Sequence, residues 1–444
     1  MSDDTQLVSN EVQELSEERP VPCAFRTGRA GTGKSFWVME QAQKDESWAC
    51  VTATTGIASV NLGAVTLNST LRYFDTLSMR DAFLSGHLTR ALHKIALKKK
   101  WFLVEEASML EEPQLDYLYR ATQEANRYSD IKQPMGILLV GDFAQLPPVK
   151  GEWAFTAACW PEFASNTVRM DKVWRQGEGP FLDALNHARM GDGGACAEVL
   201  TAAGMKWNSA RVVEFDGTTI LPKNDMVSRH NAEVLKGVLG QSFKVTSERW
   251  GQQRSEWGEN KRTHEWGIPP SMEMKIGAYV MILSNTRDFS MVNGDCGYVR
   301  QWNAEAQTFD IELVRTGKVV TVGRIIREVA QDDEPSGWHG DEVSELAGEG
   351  WLPRPHYRPK DKRYVTGQVR YFPMRLAYAS TVHKSQGLSL DRVQVDMRDR
   401  FFSGNAMAYV ALSRCRTLEG LRVVINKDSF VRQVKMDERV RRWL

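Results

Sequence analysis

The eight residues GRAGTGKS (28–35) constrain this chain more than any other stretch. They fit G-x-x-x-x-G-K-[ST] and lie between CAFRTG, which reads as a strand, and KSFWVMEQAQK, which reads as a helix. Gly28, Gly31 and Gly33, with Ala30 and Thr32 between them, allow the backbone to curl so that its N–H groups face phosphate oxygens. The helix that follows presents its positive end to the same anion. Lys34 is placed to reach the outer phosphates of ATP, and the Ser35 hydroxyl to ligate Mg²⁺. The alternative is a glycine-rich turn with a chance Lys-Ser; the strand–helix placement argues against it.

A P-loop of this kind needs a carboxylate delivered from a second strand. WFLVEEASML (101–110) supplies one: an apolar run ends in Glu105 and Glu106. Glu105 is the candidate for the metal side and Glu106 for polarising the attacking water. An acidic helix start would read the same way, and both roles can hold at once. LLVGDFAQLPPV (138–149) is a third piece. Its strand breaks at Gly141 and offers Asp142 and Gln145 before a rigid Pro-Pro, with Gln145 suited to sensing a γ-phosphate. A plain strand–turn exit remains open there. Arg175 in MDKVWRQ and Arg414 in MAYVALSRCRTLEG are candidates for stabilising the transferring phosphoryl group; each alone is more often a surface ion pair.

The first half alternates short apolar strands with helical segments, the texture of an α/β sheet. Residues 70–100 have helical spacing, end in three lysines and read as an insertion between strands. A second α/β block begins near residue 205. From about 272 to 328, short strands broken by Gly, Asn and Asp suggest a small β-barrel-like module. Residues 330–363 are rich in Gly, Pro and charge and read as a loop or mobile insertion. Alternating α/β texture returns at MRLAYAST.

The 444 residues allow two or three domains, and 42% hydrophobic with 25% charged residues is ordinary globular composition. No apolar run is long enough to cross a bilayer, and the acidic N-terminus lacks signal-peptide character. Six scattered cysteines without a C-x-x-C pair argue for a reducing compartment and against a zinc site or a disulfide framework. The net charge of +1 gives no support by itself to nucleic-acid binding, although a local basic groove is compatible with it.

Taken in order, GRAGTGKS, VEEASM, GDFAQLPPV, VWRQ, STVHKSQG and YVALSRCRTLEGLRV resemble the motifs of superfamily 1B DNA helicases. The nearest resemblance is to the petite-integration-frequency (Pif) family, with RecD-like relatives next. TATTGIASVNLGAVTLNST (52–70) resembles the family's nucleic-acid motif after the P-loop, and MILSNTRDFSMVNGDCGYV (281–299) the approach to its SH3-like insertion. The likeness spans about 21–430. It implies an α/β fold of two RecA-like P-loop domains in tandem. Residues 1–175 would form motor domain 1A, with a helical 1B wedge at about 70–100. Residues 176–299 and 372–444 would form motor domain 2A, and 300–371 an SH3-like 2B insertion. The implied activity is ATP hydrolysis with Mg²⁺ coupled to 5′ to 3′ movement on single-stranded DNA and opening of tailed or forked duplex.

The resemblance also implies site roles. Lys34 and Ser35 hold phosphate and Mg²⁺, while Gln145, Arg175 and Arg414 contact the γ-phosphate. Thr55, Thr66 and Ser69 contact DNA in the first motor domain; Thr381, His383 and Lys384 do so in the second. For His383 a satisfied polar loop residue is the alternative. Gln386 lies beside these residues and links DNA to nucleotide, and Gly387 joins it as a nucleotide-binding residue. Replication or recombination proteins are the implied partners, in the bacterial or phage-infected cytoplasm or another reducing nucleic-acid compartment. Three departures stand out. Glu105 replaces the family's Asp; the longer arm keeps the charge, and Mg²⁺ commonly retains waters, so activity is expected to survive, if at a lower rate. Asn68 replaces a histidine, which puts its DNA contact in question. The adenine-reading glutamine has no clear counterpart; Gln13 is the candidate, and it reads more readily as a solvent-facing helix residue. Three rivals remain: a nucleic-acid-stimulated translocase or RNA remodeller without unwinding, an ATP-binding single-stranded-DNA-binding protein with impaired hydrolysis, and a small-molecule kinase.

Overall fold

The computed structural model describes residues 20–251, 268–284, 286, 290–291, 294–331, 334–335, 337–343, 350–359 and 362–444. The chain divides into two compact units. The first comprises Met1–Thr54, Ala64–Phe143 and Pro147–Lys172; the second comprises Thr55–Gly63, Ala144–Leu146 and Val173–Leu444.

In the first unit the apolar runs become β1 (Cys23–Gly28), β2 (Ala49–Ala53), β3 (Val65–Thr66), β4 (Trp101–Glu105), β5 (Gly136–Gly141) and β6 (Thr167–Met170). They pair in parallel in the order β3-β2-β4-β5-β1-β6. The central strands β4 and β5 are buried nearly throughout, which is why FLV and ILLV read as unbroken apolar runs. Register brings the functional ends together. Glu105 lies opposite Val140, and Thr27 opposite Gly141, so β4, β5 and β1 all terminate at one sheet edge. α1 (Lys34–Lys44) leaves that edge directly after the glycine loop.

Residues 70–100 lie between β3 and β4, as their helical spacing predicts. Helices Thr76–Leu84 and His87–Ala96 bury Met79, Leu88 and Leu92 and pack on helix Glu112–Ala125. Asp75 opens the first of them through a capping box with Ser78. Thr89 donates to Glu124 Oε2 at 2.7 Å, tying the second down.

The second unit carries a parallel sheet in the order Ala379–Thr381, Thr218–Leu221, Val393–Asp396, Leu421–Val424. An antiparallel five-stranded sheet runs Val319–Val322, Thr308–Leu313, Cys296–Asn303, Tyr279–Ile282, Met374–Leu376. Here TFDIEL alternates inward Phe309, Ile311 and Leu313 with outward polar residues, the pattern of a half-buried strand. The strand Cys296–Asn303 crosses the 299/300 position at which the sequence reading divides motor domain from insertion.

Strands border and enter residues 330–363, where composition suggests a loop or mobile insertion and the resemblance an SH3-like insertion over 300–371. Strand Ile325–Gln331 enters the segment, His356–Arg358 and Arg363–Tyr371 leave it, and Asp341–Glu342 pairs with His356–Tyr357. Glu248–Gly251 joins the same sheet from far upstream. The polar composition conceals these strands because buried polar side chains are paired inside them. Gln368, fully buried, accepts from the Trp250 indole (3.1 Å) and Leu352 N (3.0 Å) and donates to Glu328 (2.8 Å) and Gly350 O (2.9 Å).

Candidate functional site

The loop after β1 has the backbone its glycines require. Gly31 and Gly33 both sit at φ 82°, in the left-handed region, and a Cβ on Gly28 would lie 2.4 Å from Met170 O. Gly33 caps α1, and Thr32 donates to Arg29 O at 2.9 Å. Ala30 and Thr32 are buried beneath the turn. Lys34 is also buried, with Nζ donating to Gly28 O (2.7 Å) and Arg29 O (3.0 Å). Its ammonium is thus held at the loop carbonyls, beside the curl of N–H groups.

Ser35 donates to Glu105 Oε1 at 2.5 Å. Glu105 is only 3% exposed, and its second oxygen, Oε2, is buried with no hydrogen-bond partner among the described residues. Burial first, then the charge of Glu106, push this carboxyl up to about 8; the Ser35 bond and Lys34 pull the other way. A hard cation satisfies such a site. A hydroxyl and a carboxylate oxygen without a partner are the oxygen donors Mg²⁺ takes, and a positive charge would return the carboxyl to its ionised form. The donor set fits Mg²⁺ at Ser35 and Glu105.

Glu106 has φ 56°, a left-handed conformation costly for a side chain of this kind, and it opens the short turn Ala107–Met109. Thr54 at the end of β2 holds the turn: its N–H donates to Glu105 O (3.1 Å) and its hydroxyl to Glu106 O (2.9 Å). A Cβ on Gly141 would lie 2.9 Å from Ala107 N, so only glycine lets β5 pass this close. Asp142 and Gln145, just beyond β5, are both buried.

In the second unit, residues distant in sequence meet on one segment, Thr381–Ser389. Arg175 donates from Nε to Ser389 Oγ (2.7 Å), from Nη1 to Ser413 O (3.1 Å) and from Nη2 to Gly387 O (3.3 Å). Arg414, 1% exposed, donates to Val410 O (2.8 Å), Ser413 Oγ (2.6 Å) and Ser385 O (3.4 Å). Gln386 is buried between these grips. Arg175, Arg414, Gln386 and Gly387 are therefore gathered in one place. Gln176 adds a further tie, donating to Ser413 O (3.1 Å) and Cys415 O (2.7 Å).

The threonines expected at DNA share one local role. Thr55, Thr66 and Thr381 each accept, through the side-chain oxygen, from the backbone N–H three residues on: Ala58 (3.2 Å), Ser69 (3.2 Å) and Lys384 (3.2 Å). Each caps the start of a short helix. Thr66 also donates to Ser69 Oγ at 3.0 Å. Asn68 donates to Phe74 O at 3.3 Å, so the residue that departs from the family pattern braces its own turn. His383 is held below the usual imidazole range by burial, and Lys384 below the usual ammonium range by burial and then by Arg375. Gln13 lies outside the described residues, as does part of the 281–299 run.

Thr54, Gln176 and Arg375 are missing from the sequence-based set. Thr54 and Gln176 adjoin recognised motif residues, which is the one signal that could have pointed to them. Arg375 carries no local signal; only the tertiary contacts described below single it out.

A parallel six-stranded sheet with this loop, followed by a second parallel sheet and antiparallel insertions, defines the class: tandem RecA-like domains of a P-loop protein. Comparison with known proteins is specific within that class. Residues 1–183 match the PIF1-like helicase family. A rat ATP-dependent DNA helicase PIF1 is 30% identical over 422 residues, covering 90% of this chain and 58% of the rat protein. The chain thus spans less than two thirds of that relative's length. A crystal structure of a Bacteroides Pif1 with ADP-AlF4 superposes with a TM-score of 0.69 at 22% identity, covering 95% of this chain and 92% of that one. Another Bacteroides Pif1, with ADP-AlF3 and single-stranded DNA, gives 0.56 at 23%, covering 94% and 91%. The chain is similar to the PIF1-like helicase family over residues 1–183 and to PIF1 DNA helicases over 90% of its length.

Proposed function

We propose that this chain is an ATP-dependent DNA helicase that moves 5′ to 3′ on single-stranded DNA and opens tailed or forked duplex. The observation that carries the reading is the Ser35–Glu105 contact beside the left-handed glycine loop. It keeps a hydroxyl and a carboxylate together and leaves one carboxylate oxygen over. Mg²⁺, held by Ser35 and Glu105, would supply positive charge at the phosphates. Lys34 binds the outer phosphates, and the loop N–H groups orient them. Glu106, turned off the strand by its left-handed backbone, positions the attacking water, with Gln145 beside the γ-phosphate. Arg175 and Arg414 stabilise charge on that phosphate.

The grip on DNA falls to Thr55, Thr66, Asn68 and Ser69 in the first motor domain and to Thr381, His383 and Lys384 in the second. Contacts to phosphates make it tolerant of sequence. Thr381–Lys384 and Gln386–Gly387 belong to one short segment held by Arg175 and Arg414, which supports coupling of DNA grip to nucleotide state. The likeness to DNA helicases over 90% of the chain and the DNA-bound Bacteroides neighbour support the polynucleotide. The domain reading follows: 1–175 as the first motor with 70–100 as its wedge, 176–299 and 372–444 as the second, and 300–371 as the SH3-like insertion. Replication or recombination proteins are the partners this activity would serve. Among the described residues no helix is long and apolar enough to cross a membrane.

Matched duplexes with a 5′ or a 3′ tail, incubated with the chain, ATP and Mg²⁺, test this reading. Displacement from the 5′-tailed substrate alone is expected. DNA-stimulated hydrolysis with neither duplex opened would leave a translocase or remodeller. A second reading, ATP binding with impaired hydrolysis, is favoured by the raised pKa of Glu105. Equal phosphate release by the native chain and Lys34→Ala would establish that alternative.

A further inference from the structure

The segment Thr381–Ser389 is gripped by Arg175 and Arg414 at Ser385, Gly387 and Ser389. A third arginine grips its other end. Arg375 lies on Met374–Leu376, the edge strand of the antiparallel sheet. Four residues later the chain enters Ala379–Thr381, the edge strand of the parallel sheet. Arg375 Nη2 reaches across this change of sheet. It donates to Lys384 O (3.3 Å) and Ser380 Oγ (3.3 Å) and approaches Met281 Sδ at 3.6 Å.

These acceptors are neutral, and among the described residues Arg375 forms no ion pair with a carboxylate. Desolvation holds its guanidinium down to about 10, and its charge in turn disfavours that of Lys384. Keeping an uncompensated cation beside a second one is costly unless an anion is bound nearby. The capping bond from Lys384 N to Thr381 Oγ1 fixes one end of the turn, and the Arg375 bond to Lys384 O fixes the other.

We propose that Arg375 is a positioning residue for the DNA grip: acting from the edge of the antiparallel sheet, it locks the Thr381–Lys384 turn in its strand-holding conformation. This rests on the helicase reading. It adds a physical link between that sheet and the motif that holds DNA. Because Nη2 is engaged with Ser380 and Lys384, Arg375 acts through the turn and leaves direct phosphate contacts to Thr381, His383 and Lys384.

The test uses the full chain, with oligo(dT) as the probe, and compares native protein with Arg375→Gln and Arg375→Lys. Four quantities are measured: ATP hydrolysis without DNA, the oligo(dT) concentration for half-maximal stimulation, the maximal rate, and the salt dependence of oligo(dT) binding. For Arg375→Gln the half-maximal concentration should rise about tenfold, the size of one hydrogen bond from a charged group. DNA-free hydrolysis, maximal rate, melting temperature and salt slope should stay at native values. Arg375→Lys, which retains one donor group, should fall between the two.

An unchanged half-maximal concentration in both variants overturns the proposal. So does a salt slope shallower by about 0.7, the signature of one lost contact to a single-stranded phosphate. Loss of DNA-free hydrolysis together with a lower melting temperature in both variants would also overturn it, by making Arg375 a general structural residue. If Arg375→Gln does not fold, Arg375→Lys decides between the same outcomes. A native chain indifferent to oligo(dT) would instead sink the helicase reading itself, a result distinct from stimulated native protein with indifferent variants.

Discussion

Glu105 shows how much one side chain can be asked to do. Its carboxyl closes a hydrogen bond with Ser35, lies beside Glu106 and is buried, so it holds a proton far above the usual carboxylate range. The sign follows directly. A carboxyl raised from 4.5 to about 8 favours folding fully below the lower value, and that contribution is lost as pH rises through the upper one. The metal-free chain should therefore melt at a lower temperature at roughly pH 9 than at pH 6, and Glu105→Gln should flatten the difference. Calorimetry at the two pH values checks this, and identical slopes for native and variant would refute it. Lys34→Ala should lower DNA-stimulated phosphate release by about 10²- to 10³-fold, the usual cost of removing one positioned electrostatic group. The Glu105–Glu106 pair and Lys34 were readable as candidates from their motifs. The left-handed φ of Glu106 and the hold of Thr54 were not, because they depend on how three strands end together.

At the level of elements, short helices are placed by caps and side-chain ties rather than by length. Glu111, at the start of helix Glu112–Ala125, accepts from Thr76 Oγ1 at 2.5 Å, and Gln114 donates to the same hydroxyl at 3.2 Å. The first helix of the 70–100 insertion is thereby fastened five residues downstream of Glu106. Glu111→Ala should leave DNA-free hydrolysis in place while speeding amide hydrogen exchange over 76–96, since the local opening energy falls when that tie is lost. Exchange unchanged over those residues would show that the apolar contacts of Met79, Leu88 and Leu92 suffice. Asp75→Ala, which removes the capping box, should cost about 1 kcal/mol in denaturant unfolding. The helical character of this insertion was legible because a 3.6-residue apolar period survives in a single sequence. The strands entering and leaving 330–363 were hidden from composition, although the resemblance placed an SH3-like insertion over 300–371, because their buried positions include Thr366 and Gln368, whose partners lie far away in the chain.

For the whole molecule, net charge is a poor guide to its partner. The chain carries 57 basic and 56 acidic residues, yet the proposed DNA segment sets Lys384 beside the neutral hydroxyl of Thr381. Binding to single-stranded DNA should accordingly weaken with salt, with a slope near −0.7 for each phosphate contacted. A slope of zero in a titration of oligo(dT) would remove the phosphate grip. The sequence by itself determined the glycine loop, the adjacent carboxylates at the end of β4, the α/β class and the order of motifs. It could do so because glycine conformations, apolar runs and strand–loop–helix order are local properties. The tertiary structure alone decided that Ser35 meets Glu105, that Arg175 and Arg414 close on one segment, and that Arg375 reaches the turn at Lys384. Each of these depends on strand register or on chain separated by a change of sheet, and hydrogen bonds of that range leave no periodic trace among neighbouring residues.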